Sequence, residues 1–574
     1  MSMLRSSTIG LMTDWLDPGY QQVIMRGVLA AAKERDFRVV CYATSSLADT
    51  SRGATATHKL IVPGCVEGMV VAAPTLGWCS ASDRERIMAP MQPLPMCFVA
   101  LDVPNASVVA VDNQSGLSAL VQHLIRDHEC RNLAFVCGPE FNPEAQLRLE
   151  VFRRTMAEAN LTVNETLILP GDFAPSSGVK AVSILLGERR VDISNVDAIV
   201  AANDAMAAGV MEALEARDIC VPKQLGVTGF DDWADSRYLH APLTTVRQPL
   251  YEQGKQAVRA LTDHMRTGEL QRHTVSTELV LRRSCGCNNG ASGAVRPKTS
   301  ATGAVTGFDS ALVERRQILL AELARVGRGR FGMLGTGWEL KLVSSFVEEL
   351  KGRMPGAFRD AFDGMLQRVA DSGTDAALVH ELVTVLWRHF APCASVDSVL
   401  RSELEVMLDD ARLATAATVQ RLQGHMLVKH RNTSLALVEG CAQLSASTSL
   451  EHLGRVLQAR GTALRVSHLD LAIFPNGTQT DEAIRTLTFA DGQVRRTSVP
   501  VRASELPRIV LNERPALSGV LVSALEFENE ALGLVVLDLG AGEGEAFEAL
   551  RASLANAVKG AQLREQLRHL GGHG

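Results

Sequence analysis

Hydrophobic residues in the first half of the chain follow two alternating patterns. Short, continuous apolar runs lie at residues 9–12, 39–42, 68–72, 97–99, 133–136, 198–201 and 226–229. Segments with apolar residues at helical spacing separate them, at residues 21–35, 115–128, 144–160, 204–216 and 251–265. Continuous apolar runs are typical of strands that are buried on both faces of a parallel sheet. The alternation therefore predicts a doubly wound α/β region, and the many runs indicate two sheets with a ligand cleft between them.

The pattern changes after residue 287. Residues 288–307 are rich in Gly, Ala, Ser and Thr without periodicity, which is the composition of a flexible linker. Residues 308–448 are helical in pattern and include a long helix at about residues 400–441. Its apolar residues are mostly three or four apart, at Leu404, Leu408, Ala411, Val419, Leu422 and Met426. Two interpretations of this helix stay open: a coiled coil that forms a dimer, and a core helix of a local bundle.

Residues 449–570 show a third pattern. A helix comes first, strands are predicted at residues 469–474, 484–489, 517–526 and 531–538, and a closing helix follows at residues 545–570. The turns at residues 475–477 and 491–492 contain the Asn, Asp and Gly residues that hairpins require. This order predicts a small α+β domain with an antiparallel meander.

Composition and charge narrow the functional classes. Of the 574 residues, 46% are hydrophobic and 21% are charged, as in soluble globular proteins. The 58 basic and 64 acidic residues give a net charge of −6, so no bulk field attracts nucleic acid or an anionic membrane. We find neither an export signal nor the roughly 18 uninterrupted apolar residues of a membrane span. The expectation is a cytoplasmic protein that binds neither nucleic acid nor membrane directly.

The eleven cysteines are scattered, several of them within apolar strand-like runs, which is typical of reduced core thiols. Cys285 and Cys287 form the one close pair. No second pair or suitable histidine follows nearby, so four tetrahedral metal ligands are not assembled locally. We expect a thiol pair at a strand end, with a metal or redox site as the alternative, and we predict no metal or cofactor.

Several motifs occur in order between residues 112 and 249. They are DNQSG at 112–116, RNLAFVCG at 131–138, GDFAPSSG at 171–178, DAIVAANDAMA at 197–207, GVTGFDD at 226–232 and LTTVRQP at 243–249. With these motifs, residues 1–287 resemble the effector-binding domain of lactose- and galactose-repressor-type regulators, which is itself similar to type I periplasmic sugar-binding proteins. The resemblance implies a two-lobed sensor that binds a small polar ligand, either a sugar or a nucleobase.

The resemblance places Arg148 and Asp231 in the cleft. The Arg148 guanidinium offers a planar fork of donors, and the Asp231 carboxylate offers two acceptors for hydroxyl or N–H groups. The alternative for this pair is a salt bridge between the lobes. Asp204 follows a strand and opens a helix, so a helix N-cap is expected more than a ligand contact.

Aromatic residues complete the predicted binding site. Trp15 and Tyr20 lie in the first strand-to-helix loop, and such loops bind ligands in open α/β sheets. Phe173 supplies a further flat face on which a sugar ring or base can rest, and core packing is the alternative for each of the three. Thr75 and Trp233 lie in corresponding loops and are further candidates.

Two features set this chain apart from the resembled regulators. Their helix-turn-helix precedes the first strand, which begins here at about Thr8, so direct reading of DNA is not expected. Residues 449–566 resemble a GAF-type sensor domain, through ASELP at 503–507 and LEFENEALGL at 525–534. Motifs of P-loop NTPases, diguanylate cyclases, zinc proteases and α/β-hydrolases are missing, so an enzyme is not expected.

These observations predict a signalling adaptor with four segments: a ligand-binding domain at residues 1–287, a linker at 288–307, a helical dimerisation segment at 308–448 and a GAF-like domain at 449–570. Ligand binding would close the two lobes about hinges near Asn113 and Pro242. The helices would pass this change to a signalling or regulatory protein partner of a homodimer. The alternatives are a ligand-free dimeric scaffold and a transcriptional regulator that acts through a separate DNA-binding or kinase partner.

Overall fold

The structure is a computed structural model. It describes residues 7–14, 16, 19–44, 57–72, 76–77, 79–287, 308–328, 330–394, 398–475, 481–528, 530–539 and 544–571. The candidates Trp15 and Thr75, the predicted linker at 288–307, and residues 476–477 of one predicted turn lie outside this range. By contact density the chain divides into one unit of residues 1–289 with 436–574 and a second unit of residues 290–435.

The first 287 residues form the predicted alternation of strands and helices. The strands are β1 (Thr8–Thr13), β2 (Arg38–Ala43), β3 (Met69–Ala72), β4 (Met96–Val99), β5 (Ser107–Val111), β6 (Leu133–Val136), β7 (Ile168–Leu169), β8 (Ala198–Ala201), β9 (Gly226–Thr228), β10 (Thr245–Arg247), β11 (Arg272–Val275) and β12 (Glu278–Val280). The helices are α1 (Gln21–Glu34), α2 (Ala81–Met88), α3 (Asn113–Asp127), α4 (Pro143–Glu158), α5 (Pro175–Ser183), α6 (Asp204–Glu215) and α7 (Leu250–Thr267).

These elements form two lobes. Lobe 1 contains the parallel strands in the order β11-β5-β4-β3-β1-β2, with α1, α2 and α7. Lobe 2 contains the parallel order β7-β6-β8-β9, with α3 to α6 and the β10–β12 pair. The chain crosses between them after β5, β10 and β11. The crossing that we predict near Asn113 is confirmed, whereas Pro242 is not at a crossing: it lies within lobe 2, where its carbonyl accepts hydrogen bonds from the backbone of Arg283 and Ser284. Motion about either position stays a prediction.

The C-terminal domain consists of α13 (Leu450–Arg460), β13 (His468–Ile473), β14 (Glu482–Ala490), β15 (Gln493–Arg502), α14 (Leu506–Glu513), β16 (Gly519–Phe527), β17 (Glu530–Asp538) and α15 (Gly544–Gly571). Its strands are antiparallel in the order β16-β17-β13-β14-β15. A simple meander was predicted; instead α14 carries the chain from one edge of the sheet to the other. The turn at Asp491 and Gly492 has φ values of 53° and 73°, as a tight hairpin turn requires.

Strand β16 also pairs with β2 of lobe 1, in parallel, with Val520 opposite Val40 and Val522 opposite Tyr42. The sheets of lobe 1 and of the C-terminal domain are therefore one sheet of 11 strands. One continuous hydrophobic core covers both, whereas lobe 2 has a separate core. We expected two sheets in the first 287 residues, and the extension of one of them by the C-terminal domain was not predicted.

The second unit is helical, as predicted. It contains α8 (Phe308–Gly327), α9 (Trp338–Leu350), α10 (Ala357–Asp371), α11 (Val379–Phe390) and the first part of α12 (Ser398–Ser445), which ends in the other unit. Leu404, Leu408 and Ala411 of α12 are buried in the core of this bundle. Further along α12, Met426 and Leu427 are 57% and 71% exposed. Val419 and Leu422 are partly buried and pack against the same core. The predicted seam is thus mostly a local bundle helix, and of its six residues only Met426 is exposed.

Candidate functional site

The cleft between the lobes contains a cluster of polar residues at the carboxyl ends of strands. Tyr20 lies at the start of α1 in lobe 1, and Arg148 of α4 and Asp231, after β9, lie in lobe 2. Burial raises the pKa of Tyr20 well above its usual value, and the carboxyl groups of Glu144 and Asp231 raise it further. Tyr20 is therefore close enough to lobe 2 to interact electrostatically with both acids.

Arg148 is almost fully buried, and its guanidinium is held by lobe 2. Its Nε donates to Asn113 Oδ1 at 2.8 Å, and one terminal nitrogen donates to the Ala202 carbonyl at 2.7 Å. That nitrogen lies 3.9 Å from Asp231 Oδ1, and the other lies 3.7 Å from Glu144 Oε2. The arginine–aspartate pair exists, but it lies within lobe 2 and is not the salt bridge between lobes that we considered as the alternative.

The pKa values of two neighbouring aspartates, Asp231 and Asp232, are shifted in opposite directions. Burial raises the pKa of Asp231 to about 8, although Arg148 and the amide of Gln248, which donates to Asp231 Oδ1 at 2.6 Å, lower it. Burial also acts on Asp232, but its ion pairs with Arg282 and Arg247 hold the pKa of this carboxyl below its usual value. At neutral pH, Asp231 is therefore mostly a protonated donor and Asp232 is a charged anchor.

Asp204 is not the N-cap of α6. Asn203 is the cap, and its Oδ1 accepts from the Met206 backbone at 2.9 Å. The Asp204 carboxylate accepts from the Thr245 hydroxyl at 2.5 Å and from the Trp233 backbone N–H at 2.8 Å. Burial raises its pKa to about 7. Asp204 thus fixes the loop after β9, and a direct ligand contact from it stays a prediction.

The aromatic candidates that the structure describes lie around Arg148 and the cleft entrance. The guanidinium carbon of Arg148 is 5.9 Å from the centre of the Phe173 ring and 3.9 Å from that of Phe230. Trp233 is partly buried and faces lobe 1: a Cβ built on Gly19 would lie 1.6 Å from its Nε1. The lobes therefore touch at Gly19 and Trp233, in a closed arrangement.

Sequence reasoning missed several members of this cluster. Asn113 donates to Glu144 Oε1 at 2.9 Å, and Gln248 holds Asp231. Asn113 and Gln248 stand within the DNQSG and LTTVRQP motifs, so the available signal was the position of these motifs at lobe crossings. Phe230 stands within the GVTGFDD motif, whereas nothing in the local pattern distinguished Glu144 from an ordinary helix residue.

A second group of polar residues lies at the other end of α3. The ligating atoms of His123, His128, Cys285 and Cys287 lie within 4.8 Å of one another. Our prediction considered histidines that follow the cysteine pair nearby, whereas these two precede it by about 160 residues. These four residues could hold a metal ion.

Among the residues that the structure describes, no helix combines the length and the apolar character needed to cross a bilayer.

Comparison with known proteins finds matches in the first half of the chain. Residues 121–285 match the family model of a periplasmic binding protein-like domain. The HTH-type transcriptional repressor PurR of Haemophilus influenzae is 31% identical over 231 residues, which are 38% of this chain and 64% of the repressor. The lactose operon repressor of Klebsiella pneumoniae is 34% identical over 223 residues, which are 38% of this chain and 59% of that protein. The chain therefore spans less than two thirds of the length of these relatives.

A solved structure, the transcriptional regulator CelR in complex with cellobiose, has 27% identity and a TM-score of 0.44, and covers 49% of this chain and 85% of its own. The curated relatives are transcriptional regulators and not enzymes, in agreement with the expectation that this chain is not an enzyme. Residues 121–285 form a periplasmic-binding-protein-like domain of the kind found in such regulators.

Proposed function

We propose that the chain is a regulatory sensor in which a small polar molecule, a sugar or a nucleobase, binds between the two lobes. The observation that carries this proposal is the buried cluster of Arg148, Asn113, Glu144 and Asp231, which faces Tyr20 across the cleft. Such convergent polar groups in an α/β cleft fix the orientation of a ligand. The regulators that the sequence matches support the same role.

The chemistry of the cluster fits hydroxyl-rich or heteroaromatic ligands. Arg148 can donate in a planar fork, protonated Asp231 can donate to a ring nitrogen or accept from a hydroxyl, and Phe173 gives a flat apolar face. Among ligands of this kind we rank a pentose first, a hexose second and a nucleobase third. Trp15, Thr75, Asp204 and Trp233 remain proposed contacts.

The signal would pass from the lobes to a protein partner. Lobe 1 is continuous with the C-terminal domain, which we propose to be GAF-like because helices flank its antiparallel sheet. Lobe 2 leads through residue 287 to the helical unit. A ligand that favours one lobe arrangement shifts the population of that arrangement, and exposed Met426 and Leu427 of α12 offer an apolar surface for a homodimer.

A second candidate is a scaffold that binds no effector. It is favoured by the closed lobes and by Arg148, which already donates to Asn113 and the Ala202 carbonyl. In this case the cluster is a structural network, and any regulation of transcription would proceed through a separate DNA-binding or kinase partner.

Thermal melting of the full chain against sugars, nucleobases and nucleosides distinguishes the candidates. A ligand at about one hundred times its dissociation constant stabilises the folded state by roughly 2.7 kcal/mol. We expect a shift with one ligand class, abolished by Arg148→Ala and by Asp231→Ala. Arg153→Ala is the matched control, because Arg153 lies on the same helix but pairs with exposed Glu165. No shift with any compound supports the scaffold instead.

A further inference from the structure

We propose that His123, His128, Cys285 and Cys287 bind one zinc ion in a closed tetrahedral site. The proposal does not depend on the effector cleft. Asn113 begins α3 in the cleft, whereas His123 and His128 lie ten and fifteen residues later, a rise of about 15 Å or more at 1.5 Å per helical residue. The two sites therefore occupy opposite ends of one helix.

Four of the six distances among the ligating atoms are close to the edges of a zinc tetrahedron, and the other two are within 4.8 Å. Zn–S bonds of about 2.3 Å and Zn–N bonds of about 2.0–2.1 Å place two nitrogens about 3.3 Å apart and a nitrogen and a sulfur about 3.6 Å apart. Here the two Nε2 atoms are 3.2 Å apart. The distances from Cys285 Sγ and Cys287 Sγ to His123 Nε2 are 3.7 and 3.4 Å, and Cys287 Sγ is 3.3 Å from His128 Nε2.

Hydrogen bonding alone does not account for this convergence. A neutral imidazole has one lone pair, on the nitrogen that carries no proton. Three heavy atoms nevertheless surround His123 Nε2 within 3.7 Å, namely both sulfurs and His128 Nε2. One lone pair cannot accept from three donors, whereas a cation among the four ligating atoms would take one lone pair from each of them.

The surrounding groups orient the ligands as they do in structural zinc sites. His123 Nδ1 lies 2.6 Å from Asp127 Oδ2, so the carboxylate holds the proton on Nδ1 and leaves Nε2 free for the metal. The single proton of the Thr244 hydroxyl can go to Cys285 Sγ at 3.1 Å or to the Arg282 carbonyl at 3.0 Å, and in the first arrangement it stabilises a thiolate. Gly286, between the cysteines, has φ of 104°, and a Cβ there would lie 3.3 Å from the His128 ring. The turn therefore requires glycine to bring both sulfurs to the histidines.

Two thiolates and two imidazoles are the ligand set of closed, structural zinc sites, which leave no position for a substrate. Binding would displace the two thiol protons to solvent without any redox step. The ion would join the end of α3 to residues 285–287, the last described residues before the helical unit. We infer that it fixes the point at which the chain leaves lobe 2.

Metal analysis of the full chain, purified under reducing conditions, tests this site. We expect one zinc per chain, lost in Cys287→Ser and in His128→Gln. The matched controls Cys220→Ser and His240→Gln alter exposed residues of the same lobe and should retain the ion. Cobalt(II) exchanged into the site should show the d–d absorption of a tetrahedral thiolate complex, and this absorption should be lost in the two ligand variants.

A milder variant distinguishes loss of the metal site from misfolding of the ligand variants. Asp127→Asn leaves all four ligands in place, and loss of such a supporting carboxylate lowers metal affinity about 10–100-fold, measurable by competition with a chromophoric chelator. The proposal is overturned if the reduced, folded chain holds no stoichiometric zinc, if both ligand variants keep it, or if Cys285 and Cys287 are found joined in a disulfide.

Discussion

Lobe 1 and lobe 2 have similar parallel sheets, but their edge strands have different neighbours. In lobe 1, β2 pairs with β16 and shares its core with the C-terminal domain. In lobe 2, the Val227 backbone in β9 donates to the Ser284 carbonyl, within the segment that ends at the His–Cys cluster. The two lobes are therefore tied to different parts of the chain. A change in their relative arrangement is also a change in the relation of the C-terminal domain to the exit at residue 287.

Substitutions that create a cavity in the core of lobe 1 or of lobe 2 should give the largest difference between the lobes. Phe98 of lobe 1 and Phe135 of lobe 2 are fully buried, and Phe→Ala in such sites costs about 3–5 kcal/mol. Phe98→Ala should also reduce the hydrogen-exchange protection of residues 530–538, because lobe 1 and the C-terminal domain share one core. Phe135→Ala is the control and should leave that segment protected. If residues 530–538 are equally protected in Phe98→Ala and Phe135→Ala, lobe 1 and the C-terminal domain do not share a core.

Adding a single methyl group, at Gly19, should break the contact between the lobes. A Cβ on Gly19 would overlap Trp233, so Gly19→Ala should disfavour the closed arrangement by about 1–3 kcal/mol, the usual cost of overpacking. At 1.4 kcal/mol per factor of ten, this lowers effector affinity roughly 5- to 150-fold. Gly187→Ala, in open space, is the control for titration calorimetry. Unchanged affinity in Gly19→Ala would show that closure is not required for binding.

In lobe 2, Asp231 should make the stability of the chain depend on pH. The pKa of Asp231, about 8 in the folded chain against 3.8 as the ordinary value, means that the folded state holds the proton more tightly. Its contribution to the free energy of unfolding should therefore decrease as pH rises from about 4 to about 8, and Asp204, with a pKa of about 7, acts in the same direction. Asp231→Asn should flatten this slope in denaturant titrations.

The neighbouring Asp232 should make the free energy of unfolding depend on pH in the opposite direction. Its pKa is lowered, so its ion pairs stabilise the fold at neutral pH and this stability is lost as pH falls through the folded-state pKa. Asp232→Asn should therefore destabilise the chain most at neutral pH. For Asp231, a decline of stability with rising pH that is steeper in Asp231→Asn than in the unmodified chain would contradict the raised pKa.

Periodicity predicted most elements of the first 287 residues within a few positions, because buried parallel strands are continuous apolar runs. It missed the short helices α2, α5 and α14 and the strands β5, β7, β10, β11 and β12. It also missed β15, whose side chains are mostly exposed. The pairing of β2 with β16 and the meeting of His123 with Cys285 could not be predicted. Each joins residues far apart in sequence, and local spacing carries no information on which distant segments pack together.

The pairing of β2 with β16 also has a consequence for biosynthesis. Ser523 of β16 donates to the carbonyl of Ala43 at the end of β2, 480 residues earlier. At a translation rate of about 5–20 residues per second, that edge of the nascent lobe 1 waits roughly 25–100 s for its partner strand. During this interval β2 presents unpaired backbone groups to other chains. Folding in the cell therefore depends on protection of this edge, and chains that terminate early would be prone to aggregate through it.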